Sequence, residues 1–143
     1  MSAYEQNVLA QPPIQPPTPQ IAVSFARLPQ GWRQFPATGH GLATSWPYRQ
    51  GPGGWALSIP RNGIVVHVFF VRDTPPYPKL RLRLPTSTKF ALEGAPGIPE
   101  YRIQGRVRGH NVEVWVDIRR RRPTTSQLRV AQQVVSALRF RFH

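Results

Sequence analysis

The chain has 143 residues, with 19 Lys and Arg against 6 Asp and Glu, a formal charge of +13. It contains no Cys, which excludes disulfides and Cys-based zinc or redox centres. No apolar run approaches the roughly 18 residues that a membrane-spanning helix needs.

Only 17% of the residues are charged, against roughly 25% in an average domain, and the shortfall lies in acids. Of the bases, only Lys79 and Lys89 are lysines. A GC-rich genome explains Arg over Lys but not the missing acids. A surface of this kind attracts polyanions: nucleic acid, anionic lipid or an acidic polymer.

Residues 1–20 read as a Pro-rich tail, in which five of the eight residues from Pro12 to Pro19 are Pro. Such a segment favours extended polyproline II and buries no core. Pro13-Ile14-Gln15-Pro16 has PxxP spacing, so the tail reads as a spacer or as an arm that docks on a protein partner. Residues 21–143 read as one domain, long enough for a single core without staples.

Within that domain, short apolar runs alternate with Gly and Pro. Strands are expected at 21–25, 41–48, 55–59, 64–72, 80–84, 101–107, 111–118 and 139–142, mostly antiparallel. Residues 64–71 are apolar on both faces apart from His67, which suits a central strand covered on each side. Leu80-Arg81-Leu82-Arg83-Leu84 alternates strictly, with leucines inward and arginines outward. A type II′ turn at Gly109-His110 would pair residues whose numbers sum to 219. That register puts Val107, Ile103, Val112, Val114, Val116 and Ile118 on one face. On the other it sets Arg106 against Glu113, Gln104 against Trp115 and Arg102 against Asp117. One helix is expected: Thr124 and Gln127 have capping-box spacing, and Leu128, Ala131, Val135 and Leu138 recur on one face. The fold class is therefore α+β, a curved and mainly antiparallel sheet with one C-terminal helix packed on it.

No constellation of catalytic residues is legible, and the chain reads as non-catalytic with no metal or cofactor. His40, His67, His110 and His143 have no metal-ligand spacing, and His67 reads as an interior side chain. Glu113 and Asp117 read as ion-paired with Arg, and Glu93 and Glu100 as solvated loop charges. Gly51-Pro52-Gly53-Gly54 lacks Walker or Rossmann spacing, and no G-x-S-x-G elbow is present. The strongest candidate site is Arg119, Arg120, Arg121 and Arg122 ahead of the helix. There, beside Thr124, the orphan N–H groups of Thr125, Ser126 and Gln127 and the positive end of the helix dipole would hold a phosphate or sulfate. An additional basic face is expected from Lys79, Arg81, Arg83, Arg106, Arg108, Arg139 and Arg141, with Trp115 as a platform for a base.

Leu28-Pro29-Gln30-Gly31-Trp32 and Val134-Val135-Ser136-Ala137-Leu138-Arg139-Phe140 resemble the start and end of small uncharacterised domains of high-GC actinobacteria. The layout is also similar to PsbP/Mog1-like α+β domains. The resemblance covers residues 25–142 and implies an α+β fold behind a Pro-rich spacer and a signal or lipid anchor. It implies no catalytic residue. This chain has no apolar anchor segment and no lipobox Cys. It is thus expected in the cytoplasm as written, or at the envelope if an upstream anchor is missing.

The sequence favours a binding module whose basic face engages DNA, RNA or an anionic envelope polymer. The alternative is a structural or assembly protein, an envelope or virion component, joining neighbours through the Pro-rich arm and sheet edges.

Overall fold

A computed structural model describes residues 20–48, 59–72, 74–85, 89–90 and 98–142. The Pro-rich tail, most of the expected strand 55–59, the turn at Gly51 to Gly54, and Asp73, Glu93 and His143 lie outside these residues.

The fold is α+β. The described strands are β1 (Ile21–Phe25), β2 (Arg33–Thr38), β3 (His40–Thr44), β4 (Ile64–Val71), β5 (Lys89–Phe90), β6 (Pro99–Val107), β7 (His110–Ile118) and β8 (Leu138–Phe142). They lie in the order β5-β6-β7-β4-β3-β2-β1-β8, with every neighbouring pair antiparallel. One helix, α1 (Thr125–Ser136), precedes β8.

β4 is the central strand that its sequence suggests, with Ile64 through Phe70 all buried. One face of the curled sheet, including Val66, Val68, Val114, Val116 and Ile103, packs with Val23, Leu138 and the helix residues Ala131, Val134 and Val135. The opposite face is also covered, by a smaller cluster of Leu42, Tyr48, Ile59, Val65 and Ile98 with Phe35, Trp46 and Trp115 against it. The curl brings β8 towards the β6–β7 hairpin. Phe140 lies 6.0 Å from Phe70, and the Arg108 guanidinium stacks 4.3 Å over the Phe142 ring.

The helix starts where its sequence says. Thr124 Oγ1 accepts the Gln127 N–H, and Gln127 Oε1 accepts the Thr124 N–H. Its end comes sooner: Ala137 is the C-cap, and Leu138 is already in β8, still buried.

The hairpin register differs from the expected one. The two-residue turn is Arg108-Gly109, with φ of 44° and 82°, the type I′ pattern. Val107 therefore pairs with His110, and every later partner moves by two residues. Such a slip keeps each side chain on its own face, so the hydrophobic pattern does not distinguish the two registers. The partners do change: Glu113 lies opposite Gln104, Trp115 opposite Arg102, and Asp117 opposite Glu100. The expected Arg106–Glu113 and Arg102–Asp117 pairs do not form.

Two further expectations change. β2 was not foreseen: Pro36 interrupts its pattern at the point where pairing passes from β3 to β1. Residues 80–84 form no ladder, and the Arg83 N–H turns back to the Arg81 carbonyl at 2.9 Å. Their one bridge is parallel, Lys79 to Arg106, where Leu80 N–H donates to the Arg106 carbonyl and Arg106 N–H to Pro78. Further along, Gln132 of the helix replaces a neighbouring strand: its amide accepts from Leu84 N–H and donates to the Leu82 carbonyl, both at 2.8 Å.

Candidate functional site

The described acids are all buried. Glu100, Glu113 and Asp117 are 2%, 9% and 0% exposed, on the sheet face covered by the smaller cluster. Glu100 pairs with Arg102, which also stacks 4.2 Å over Trp115. Glu113 accepts from the Tyr77 hydroxyl at 2.8 Å and from Trp115 Nε1 at 2.7 Å. Glu100 is thus an interior strand residue and not a loop charge. Trp115, wedged 4.9 Å from Phe69 and beneath Arg102, is not an open platform. Every base whose side-chain burial is described is exposed except Arg102, which is half-buried. Among the described residues, then, the surface carries cations without exposed carboxylates between them.

These cations are unevenly placed. A groove of about 640 Å³ opens between residues 77–82, the hairpin tip and β8. Lys79, Arg106 and Arg108 line it together with Tyr77, Leu80, Leu82 and Phe140. Lys79 and Arg106 are bridge partners, two like charges on adjacent backbones, an arrangement that destabilises a sheet. The close approach is possible because residue 105 is Gly. A Cβ there would lie 2.4 Å from Leu80 Cα. The groove wall is anchored upstream: Asn111 accepts from Tyr77 N–H and donates to Thr74 and Pro75. Burial, then the Glu113 carboxylate at its hydroxyl, hold the Tyr77 phenol above its usual pKa, so it stays a neutral donor.

A second groove, of about 710 Å³, lies between residues 26–29 and the end of α1. Arg27, Arg129 and Arg139 line it. Arg139 is partly committed, donating to the carbonyls of Ser136 and Leu138 where the negative end of the helix favours a cation. Arg27 and Arg129 were missed from sequence. They are 102 positions apart, and the pairing of β1 with β8, extended by the Ala26 N–H bond to the Ala137 carbonyl, brings them to one groove.

The remaining candidates do not join either groove. Arg81 and Arg83 are exposed, alternating with the inward leucines. Arg141 is exposed on β8, paired in register with Ala22. The run from Arg119 to Arg122 leaves the far end of β7, about 27 Å from the hairpin tip at the usual strand rise. Two of its members are turned towards the 59–62 loop. Arg119 Nη1 donates to the Ile59 carbonyl at 2.6 Å, and Arg120 to Asn62 Oδ1 at 3.4 Å and the Arg122 carbonyl. Arg121 and Arg122 are exposed, as are Thr125 and Ser126, while the Thr124 side chain is used by the cap. The capping box also takes the Gln127 N–H, one of the donors the anion reading relied on.

Little else among the described residues has the makings of a reactive centre. His67 is buried, 5.2 Å from Phe69, with Leu42 and Trp115 as cross-strand neighbours. Burial lowers the pKa of His40 below 6.5, against a weaker opposing effect of the Thr38 backbone. Among the described residues no group of three or more His, Asp or Glu is placed to hold a metal ion, and no helix is long and apolar enough to cross a membrane. Comparison with protein-family models, with curated proteins and with solved structures gave no match.

Proposed function

We propose that this protein is a non-catalytic binding module for a polyanion, held at the groove of Lys79, Arg106 and Arg108. The observation that carries the reading is the segregation of charge. The described acids are buried, so the cations of the groove face solvent with no described carboxylate to neutralise them. The juxtaposition of Lys79 and Arg106 supports the same reading, because two like charges side by side cost the free protein stability that an anion would restore. The segment from Arg119 to Arg122 is a secondary contact in this reading, since only Arg121 and Arg122 face outward without a backbone carbonyl to hold.

Binding to DNA, RNA, heparin and polyphosphate at about 50 mM and 200 mM salt tests this, because a phosphate-contacting protein loses affinity steeply with salt. The expected result is binding at the lower salt and a marked loss when Lys79, Arg106 and Arg108 are all changed to Gln. Absence of binding to all four polymers at the lower salt would overturn the reading.

A further inference from the structure

We infer that the groove between residues 77–82 and β8 takes single-stranded nucleic acid, phosphates on its cations and bases against its apolar and aromatic lining. This rests on the polyanion reading above and names the ligand class for that site. The groove has two chemistries side by side. Its lining combines the cations Lys79, Arg106 and Arg108 with the apolar residues Leu80, Leu82 and Phe140. Heparin, polyphosphate or a duplex can neutralise the cations, but none has an apolar surface to lay on the apolar residues. A duplex keeps its bases stacked inside. A single strand carries both a charged backbone and open π-faces at one spacing, the combination that stacking platforms in basic grooves select.

The hairpin tip strengthens the assignment. Arg108 occupies a turn position with φ of 44°, where Asn or Gly is the usual residue. Its guanidinium carbon lies 4.3 Å from the centre of the Phe142 ring. A cation over a ring face uses none of its hydrogen-bond donors on the ring, so the Arg108 donors remain for a phosphate. Among the described residues Arg108 has neither a hydrogen bond nor an ion pair to divert it. Phe140 is partly exposed and lines the groove, which makes it the ring a base would meet. The described lining presents no Asn, Gln, Ser, Thr or acid to read base edges.

The test is fluorescence anisotropy with dT20, U20, a 20-base-pair duplex and a heparin fragment, at about 50 mM salt, on the full chain. Single strands of either sugar are expected to bind at least tenfold more tightly than the duplex. Phe140→Leu, with folding checked by circular dichroism, is expected to weaken single strands fivefold or more and leave heparin unchanged, since a stacked base is the part it removes. Because the substituted residue lies in β8, crosslinking of a 4-thiouridine oligonucleotide to the unaltered protein gives a second measurement. Adducts are expected on residues 77–82 or 140–142. Equal affinity for single strand and duplex, or adducts confined to the groove of Arg27 and Arg129, overturns the single-strand assignment while heparin binding keeps the polyanion reading. Failure of all four ligands to bind overturns both.

Discussion

Arg108 places structural strain and the proposed chemistry in one side chain. A non-glycine residue in the left-handed region costs about 1 kcal/mol, and Asn tolerates that region better than Arg. Against this, the stack on Phe142 returns about 0.5–1 kcal/mol. Arg108→Asn relieves the first and forfeits the second, so the unfolding free energy from urea titration is expected to stay within about 1 kcal/mol of the parent. Affinity for single strands should nevertheless fall, and the dependence of log K on log salt should flatten by about 0.7, one phosphate contact on a single strand. An unchanged slope would show that Arg108 touches no phosphate. Sequence pointed to Arg108 as one base among many but not to its conformation, since a type II′ turn beginning at Gly109 satisfies the same hydrophobic pattern. Gly105 was equally silent: it fits as an inward strand position, and only the path of Leu80 over it shows why a side chain is not tolerated.

The elements with strong periodicity were legible: β1, β4, the apolar faces of β6 and β7, and the capped start of α1. Those that failed lacked a local signal. β2 is interrupted by Pro36, and the 80–84 segment has strand-like alternation yet takes its hydrogen bonds from a helix side chain. The burial of Glu100, Glu113 and Asp117 was not legible either, because alternation identifies a second face without saying that another layer covers it. The Gln132 contact bears directly on the groove, since Leu82 is part of the lining. Gln132→Ala removes both bonds and leaves the Leu84 N–H and the Leu82 carbonyl to water. Because these groups are only partly buried, the expected cost is about 1–2 kcal/mol. Hydrogen exchange at the Leu84 amide should accelerate well beyond that at Val66 in the central strand, which reports global unfolding. Equal acceleration at both amides would mean that the clamp has no local role and that the 80–84 segment is held by its leucines.

Charge segregation across the fold has a consequence that needs no ligand. With the described acids buried and the described bases outside, exposed charges repel more than they attract, and net self-repulsion weakens a compact state. Two unit charges about 10 Å apart in water repel by about 0.4 kcal/mol before screening. The screening length falls from about 30 Å at 0.01 M salt to about 8 Å at 0.15 M. Summed over the neighbouring arginines and reduced by repulsion in the unfolded chain, the gain is on the order of 1 kcal/mol. The thermal midpoint of the free protein is therefore expected to rise as NaCl increases over that range. The midpoint in saturating oligonucleotide should behave oppositely. A ligand at a hundredfold excess over its Kd adds about 2.7 kcal/mol, and salt removes that increment by raising Kd. The two melting curves should therefore converge as salt rises, the free one from below and the bound one from above. A free midpoint that falls with salt would show that attractive pairs dominate within the chain, and the cations of the groove would then be neutralised before any ligand arrives.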